Sequence, residues 1–349
     1  MELPCGTFNQ TYAQDMAVIR TKSHWGFTIF GLIFLFCLPL WVPPNYIHIV
    51  NYTFIWLIAA LGLQIAMGYT GLISFAHAAF LAVGAYTTAI LTGTMGLSFW
   101  IALPASGIIA GLIGMLAGAP SLRIKGFYLA LATIAIQFII MWLVLHLDIT
   151  GSVIGLRTPA PSIGGLELKT DAQMFYLIAG MMVLMTFFTK NLIRSKIGRA
   201  FIAIRDNDLA ARVMGINIFR YKLLSFFIAC AAAGIAGSLW AALWGYVSPE
   251  QFNITMSLFY IGMLIIGGLG SIVGVFFGVF TIRALEELVG IASPSIAAIF
   301  PAIGFQPAAA LAVSFFGLII ILSLIFMPRG LAHQWNKIKA SYRIFPFNN

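Results

Sequence analysis

The sequence predicts an all-α, polytopic membrane protein with about ten transmembrane helices. Of its 349 residues, 61% are hydrophobic and only 8% are charged, whereas a soluble domain carries roughly 25% charged residues. Apolar runs of about 20 residues, each long enough to cross a hydrocarbon layer of ~30 Å, recur along the whole chain. Runs such as FYLIAGMMVLMTFF do not alternate apolar and polar residues, so helices rather than barrel strands are expected to form the spans.

Apolar length and helix-breaking residues place the individual spans. The predicted spans are 25–43, 47–66, 72–92, 99–118, 127–147, 173–189, 223–245, 253–270, 272–289 and 308–327. A glycine cluster from Gly267 to Ser271 separates two of them. Such a cluster fits either a turn between two spans or the tip of a broken helix.

The basic residues set the orientation of these spans. With the N-terminus in the cytoplasm, sixteen of the nineteen Lys and Arg fall on the cytoplasmic side, and only Arg157, Lys169 and Arg283 do not. Cytoplasmic loops carry an excess of basic residues, so both termini are expected there, and the net charge of +9 does not indicate nucleic acid. The single transmembrane domain, 1–349, then has an N-terminal cytoplasmic segment, a periplasmic loop, a long cytoplasmic loop and a cytoplasmic tail, at 1–24, 148–172, 190–222 and 328–349.

Catalytic and metal-binding motifs are missing from the sequence. It contains no GxxxxGK[ST] phosphate loop, no HExxH and no GxSxG nucleophile elbow. Cys5, Cys37 and Cys230 lie far apart, without the spacing of a disulfide framework or a metal site. We therefore expect no catalytic residue, metal or cofactor in this chain, and ATP, if used, must be bound elsewhere.

The cytoplasmic loop 190–222 is the longest polar segment and holds eight of the nineteen basic residues. Apolar residues recur at helical spacing within it: Phe201, Ile204, Ala211 and Met214. They predict one short amphipathic helix between Gly198 and Gly215. Such a helix could press into a groove on a protein or lie on anionic lipid headgroups. Two acidic residues, Asp206 and Asp208, favour the protein.

A second candidate region, GYTGLISFAHAAFLAVGAY, runs from Gly68 to Tyr86. Its small residues allow close helix packing in lipid, and the glycines on both sides of Thr70 could break a helix at membrane depth, as at many transporter sites. His77 is an ionisable group within the membrane and so a functional candidate. The alternative is a neutral imidazole that bridges two packed helices, and Ser74 fits a structural hydrogen-bond donor.

Glu286 and Glu287, near Arg283, are the only acidic residues within a predicted span. A proton or substrate relay and a partly solvated helix end are both compatible with them. The stretch LRIKGFYLALAT, from Leu122 to Thr133, fits a basic anchor at the inner boundary of a span.

Taken together, these stretches resemble a known family. GYTGLISFAHAAFLAVGAY, LRIKGFYLALAT and SKIGRAFIAIRDNDLAARVMGIN resemble the membrane-spanning permeases of branched-chain amino acid ABC importers, and SPEQF, IIGGLGSIVG and FMPRGL continue the match. The resemblance runs from about Asn51 to Leu331 in family order. Of the two paired permease types, the chain is similar to the one with GHAAF-like and LRxxG stretches, although Phe75 and Ala76 precede His77 where glycine is common.

The resemblance implies an ABC importer permease fold in the bacterial inner membrane, without catalytic residues. It implies four kinds of neighbour: a second homologous permease subunit, two cytoplasmic ATPase subunits that bind the ATP, a periplasmic substrate-binding protein and membrane lipid. The loop 190–222 would be the coupling loop that docks onto an ATPase. Its candidate coupling residues are Gly198, Arg199, Ala200, Arg205, Asp206, Asp208, Ala211, Met214 and Gly215.

The candidates for the translocation path or a helix break are Gly68, Gly71, Ser74, His77, Gly84, Tyr86, Gly267, Gly268, Gly270 and Ser271. Branched-chain or related amino acids are the expected substrates, and urea or short amides are the alternative within the family. An ion-coupled secondary transporter, which would need Glu286 or Glu287 in its pathway, is the alternative from another class. A membrane-embedded enzyme or assembly subunit would need catalytic groups that the sequence lacks.

Overall fold

The computed structural model describes residues 22–121, 126–163, 166–299, 317–318, 320–322, 325–327 and 329–344. Most of the predicted span 308–327 therefore lies outside the described residues. The same holds for Arg123 and Lys125 of the predicted basic anchor and for most of the N-terminal segment.

Helices make up nearly all of the described structure. The α-helices are α1 (Lys22–Trp41), α2 (Pro44–Leu63), α3 (His77–Ala89), α4 (Phe99–Ser121), α5 (Phe127–His146), α6 (Asp171–Arg194), α7 (Lys196–Asp206), α8 (Asp208–Val213), α9 (Ile218–Trp244), α10 (Ile254–Gly267), α11 (Ile272–Ile299) and α12 (Leu331–Ile344). Helix α2 continues as a π-helical turn, Gln64–Tyr69, and α3 as another, Ile90–Thr94. Two short 3-10 helices, Asp148–Thr150 and Pro249–Phe252, complete the helical structure.

Two small antiparallel sheets lie in the loops at one end of the bundle. Strand β1 (Leu156–Arg157) pairs with β4 (Tyr246–Val247), with Leu156 opposite Val247. Strand β2 (Ser162–Ile163) pairs with β3 (Leu166–Glu167). The all-α prediction omitted these strands because segments of two residues carry no readable alternation.

Five helical stretches of the described chain are long and apolar enough to cross a membrane: Tyr46–Tyr69, Phe99–Pro120, Tyr128–His146, Asp171–Arg194 and Ile218–Trp244. They confirm the helical, multi-span architecture. Two predicted spans are shorter in the structure. Helix α10 has 14 residues and rises about 21 Å, less than the ~30 Å hydrocarbon layer. The predicted span 72–92 begins only at His77. The ten-span arrangement with both termini on one side stays a prediction.

Helix α9 is the centre of the bundle and packs against α2, α3 and α4. Small residues line it between Ala229 and Ala242, which lets neighbouring backbones come into direct contact. A Cβ atom added to Gly237 would lie 2.0 Å from the Leu81 carbonyl oxygen of α3, and one added to Gly84 would lie 2.1 Å from the Gly234 oxygen. Gly84, a sequence candidate for the path, therefore packs helix against helix.

The glycine cluster between α10 and α11 is a turn between two packed helices. Helix α10 ends at Gly267 and α11 begins at Ile272. Gly267 lies against its partner helix, since an added Cβ would be 1.9 Å from the Gly274 oxygen. Ser271 accepts a hydrogen bond from the Gly274 amide at 3.1 Å and so caps α11. Of the two interpretations that the sequence left open, the structure has the turn.

Candidate functional site

The segment that links α6 to α9 begins with a sharp corner at one end of the bundle, called here the basic end. Ser195 follows α6 and caps α7: its hydroxyl accepts hydrogen bonds from the amides of Ile197 and Gly198, at 3.2 and 3.3 Å. Gly198 has no space for a side chain, because an added Cβ would lie 2.3 Å from the Ile193 Cα. A large residue at this position would therefore open the corner itself.

The single amphipathic helix predicted between Gly198 and Gly215 was wrong, because the structure has two helices, α7 and α8. They meet at Asn207, whose backbone is extended (φ −158°, ψ 106°). The Asn207 side chain accepts from the amides of Leu209 and Ala210 at 3.0 and 3.1 Å and so starts a new helix. Gly215, at φ +82°, ends α8 as the sequence predicted.

The break changes which side chains face the bundle. The buried residues of the segment are Gly198, Ala200, Phe201, Ile204 and Ala211. Met214 was predicted on the same apolar face but is 81% exposed, because the periodicity restarts at Asn207. Leu209 and Val213 are likewise exposed, at 65% and 87%. These three exposed apolar side chains, two on α8 and one at its C-terminal cap, are called here the docking face.

Arg205 reaches from α7 to the end of the helical bundle, with its side chain 36% exposed. Its Nη1 atom donates to the Gly68 carbonyl oxygen at 2.9 Å, and Nε donates to the carboxylate of Asp206 at 2.9 Å. The side chain passes Gly71, whose added Cβ would lie 3.3 Å from the Arg205 Cγ. Arg205 thus ties the linking segment to the end of the helix that runs from Pro44 to Tyr69. Arg199, which is also exposed, donates instead to the nearby Arg194 carbonyl, at 3.1 Å.

The two glycine-containing candidate regions meet at the end of the Arg205 side chain. This contact is called here the glycine junction (Gly68, Gly268 and Gly270). A Cβ added to Gly68 would lie 2.8 Å from the Gly270 amide nitrogen, and one added to Gly270 would lie 2.8 Å from the Arg205 Nη1. Gly270 also has φ +80°, which favours glycine. Gln64 secures the junction by donating to the carbonyls of Gly268 and Ser271 at 3.3 and 3.2 Å.

Past the junction the chain is irregular from Gly71 to Ala76 before α3 begins inside the bundle. Three amides at this start are bound by side chains from other helices. The pairs are Phe75 N to Thr133 Oγ1 at 3.0 Å, Ala78 N to Ser257 Oγ at 2.9 Å and Ala79 N to Gln137 Oε1 at 2.9 Å. A helix start within protein needs such partners, since free amides are costly in an apolar environment.

His77 is buried at this start and bridges two neighbouring helices. Its Nε2 lies 2.9 Å from the Ala59 carbonyl oxygen of α2, and its ring meets the Tyr260 ring of α10 edge-on at 5.1 Å. This geometry is the bridging imidazole that the sequence left as an alternative to a functional group. Ser74 and Tyr86 are buried as well.

A cavity of about 370 Å³ lies between the linking segment and the irregular segment after the junction. Its lining includes Thr70, Gly71, Asp208 and Lys222. The segment therefore has room to move relative to the junction, while Arg205 keeps the two connected.

The acidic residue Glu286 of α11 has a basic partner. It forms an ion pair with Arg283 one turn away, and the two side chains are largely buried, at 25% and 11% exposed.

Among the described residues, no group of three His, Cys, Asp or Glu side chains could hold a metal ion.

The sequence predictions did not include three residues that hold the site together: Gln64, Gln137 and Asn207. The two glutamines carried a readable signal, because a glutamine within an apolar span needs a hydrogen-bond partner on a neighbouring helix. Asn207 lies in the sequence RDND, where asparagine is a common helix cap, so a break was readable there too.

Comparisons with known proteins give consistent matches. The family model described as "Branched-chain amino acid transport system / permease component" matches residues 45–324. The high-affinity branched-chain amino acid transport system permease protein LivM of Escherichia coli (strain K12) is 34% identical over 284 residues, which cover 74% of this chain and 66% of the relative. The autoinducer 2 import system permease protein LsrC of Yersinia pseudotuberculosis (serotype O:1b) is 25% identical over 75% of this chain and 76% of the relative.

The probable branched-chain amino acid transport permease protein LivH of Methanocaldococcus jannaschii is 27% identical over 68% of this chain and 78% of the relative. The chain spans about two thirds of the length of the LivM relatives that it matches. No solved structure matches it.

Proposed function

Because the chain belongs to the family of permease components of branched-chain amino acid transport systems, we propose that it forms the membrane path of an ATP-driven importer for these amino acids. As a multi-pass permease component, it has no catalytic role of its own. Its proposed place is the bacterial inner membrane, with the basic end in the cytoplasm. Its proposed partners are a second permease subunit, two ATPase subunits and a periplasmic binding protein.

The observation that carries this proposal is the docking face at the basic end. Three apolar side chains are exposed on and just after the short helix α8, which follows the long apolar helix α6 in the chain: Leu209, Val213 and Met214. A contiguous exposed apolar surface marks a contact with another molecule. The chain has no phosphate loop, so an ATP-driven importer needs a separate ATPase, and this face offers it an attachment point.

Lipid headgroups are the competing partner for the same segment. Asp206 ends α7, where it is paired with Arg205, and Asp208 begins α8. Anionic lipid would repel these carboxylates. A protein surface can bury the apolar side chains of the docking face. The proposal therefore commits to the ATPase subunit as the occupant of the docking face.

The contacts suggest how movement would pass from the ATPase to the membrane path. ATP binding would shift the ATPase and the docking face on it, and Arg205 would carry that shift to the Gly68 carbonyl. At the glycine junction the helix ending at Tyr69 and the α10–α11 turn would move together, since Gln64 links them. Coupling requires two states to which the ATPase binds with different affinity, and the cavity beside Arg205 gives room for both.

The ion-coupled alternative has less support. A carboxylate that carries a proton or sodium ion must be free to change partner, whereas Glu286 is held by Arg283. Uptake in proteoliposomes separates the two mechanisms. The proposal expects uptake of labelled leucine that requires ATP inside and survives a protonophore, with no competition by urea. Uptake driven by an ion gradient without ATP would reject it.

Substitution of Met214 by glutamate tests the docking face. A carboxylate placed in an apolar contact leaves a buried charge unpaired, so we expect at least about a tenfold loss of ATPase bound per permease. Co-purification of the ATPase from detergent-solubilised membranes measures the effect, and leucine uptake should fall with it.

Met95→Glu is the matched control, because Met95 is 64% exposed in the loop after α3, at the opposite end. It should leave ATPase binding unchanged. Equal ATPase recovery with Met214→Glu and with the unchanged chain would remove the docking face from the proposal.

A further inference from the structure

We propose that Arg283, Glu286 and Tyr260 form a binding site within the bundle for the charged head group of a free α-amino acid. The site lies where α2, α10 and α11 meet, apart from the docking face and the glycine junction. The inference rests on the proposed function as an amino acid importer, and it assigns the substrate class to particular side chains.

The Arg283 guanidinium lies against aromatic rings in a largely buried position. Its Cζ atom is 4.1 Å from the centroid of the Tyr52 ring and 5.8 Å from that of Trp56. Glu286 binds the Nη1 atom from one turn further along α11. An ionised arginine in a membrane protein is costly unless it is paired, and such residues mark substrate pathways. The rings stabilise the positive charge from one face of the guanidinium.

Three polar atoms at this place have no hydrogen-bond partner among the described residues: the Tyr260 hydroxyl, the Arg283 Nε and the Trp56 Nε1. Tyr260 is fully buried, and its ring stacks on that of Trp56 at 4.5 Å. Buried polar groups are nearly always satisfied. Three unsatisfied donors beside one ion pair therefore point to a ligand that supplies acceptor oxygens.

An amino acid zwitterion matches this set of groups. Its carboxylate can accept from the guanidinium edge and from the Tyr260 hydroxyl, and its ammonium group can pair with Glu286. The Arg283–Glu286 pair is neutral as a unit, and so is the zwitterion, so binding brings no net charge into a medium of low dielectric. Trp56 and Tyr52 offer apolar ring surface to an aliphatic side chain. Urea and short amides lack both charges and would gain little here.

The competing explanation is that Arg283, held by Glu286, braces α11 against the Tyr52 and Trp56 rings of α2. The two explanations predict different effects when two apolar residues replace the ion pair. Replacing a buried ion pair by well-packed apolar residues is often neutral or stabilising, so a brace should tolerate Arg283→Met combined with Glu286→Leu. A binding site should not, since the groups that recognise the zwitterion would be gone.

The experiment uses the complete transporter in proteoliposomes, with labelled leucine taken up from the loaded binding protein. In the double variant Arg283→Met, Glu286→Leu, leucine uptake is expected to fall at least about tenfold. Its assembly, its thermal stability and the ATP hydrolysis stimulated by the loaded binding protein should persist. Uptake near that of the unchanged transporter would overturn the site and leave a brace.

Tyr260→Phe keeps the test decisive if the double variant does not assemble. Removal of an unpaired buried hydroxyl should be neutral or stabilising in a purely structural role, whereas the proposed site predicts at least about a threefold loss of uptake. Tyr176→Phe, at a half-exposed tyrosine of α6, is the control and should transport normally. Unchanged uptake with Tyr260→Phe rejects the site alone. If the transporter without any substitution takes up no amino acid, both the proposed function and the site are rejected.

Discussion

Replacing Arg205 by methionine is expected to reduce ATP-driven leucine uptake by at least about tenfold while the ATPase stays bound and active. Methionine keeps much of the packing along Gly71 but removes the hydrogen bond from Nη1 to the Gly68 carbonyl. The guanidinium supplies a charge-assisted contact between the linking segment and the glycine junction. Without it the docking face can move while the junction does not follow, so hydrolysis continues without transport.

The measurement is the ratio of leucine transported to ATP hydrolysed in proteoliposomes. Arg199→Met is the matched control, because Arg199 lies exposed on the same helix but donates to the nearby Arg194 carbonyl and not to the glycine junction. That variant should keep the ratio of the unchanged transporter. If Arg205→Met keeps the ratio too, or if it releases the ATPase, then Arg205 does not transmit the movement.

Replacing Gly237 by alanine is expected to destabilise the bundle by about 3 kcal/mol or more, the upper range for overpacking. The added Cβ would lie 2.0 Å from the Leu81 carbonyl oxygen and 2.8 Å from the Ala85 amide nitrogen. Both are backbone atoms of α3, so no side chain can rotate away. Helices α9 and α3 must then separate, and α9 is the helix on which the rest of the bundle packs.

Thermal unfolding in detergent measures this effect, together with the yield of protein in the membrane. Gly180→Ala is the control, since nothing lies within 4 Å of the Cβ that it would add in α6. Alanine favours a helix by up to ~1 kcal/mol over glycine, so this variant should be neutral or more stable. Equal melting temperatures for the two variants would show that the close contact between α9 and α3 does not limit stability.

Apolar length was enough to predict the long helices, because a hydrocarbon layer requires a minimum number of consecutive apolar residues. It could not place the start of α3. The apolar sequence continues through Leu72 and Ile73, yet the helix begins at His77, where Gln137 and Ser257 bind the first amides. Those partners lie 58 and 179 positions away in the sequence, so local composition carries no trace of them.

The candidate site, too, was predicted only in part from the sequence. Charge and spacing identified the linking segment and both glycine regions, but not that Arg205 joins them. An arginine on a polar loop gives no sign of whether it faces outward or inward, and the structure turns this one toward Gly68, 137 positions away. Met214 was misplaced for a local reason, because one asparagine restarts the helical period that a continuous count carries through.

Photo-crosslinking from Val213 tests most directly whether the linking segment binds the ATPase. Val213 is 87% exposed on the docking face, and Val153, 70% exposed in a loop at the other end of the bundle, is the matched position. A photoreactive residue at 213 in the assembled transporter should capture the ATPase subunit, and one at 153 should not. Capture of lipid alone from position 213, or equal capture of the ATPase from both positions, would contradict the proposed docking.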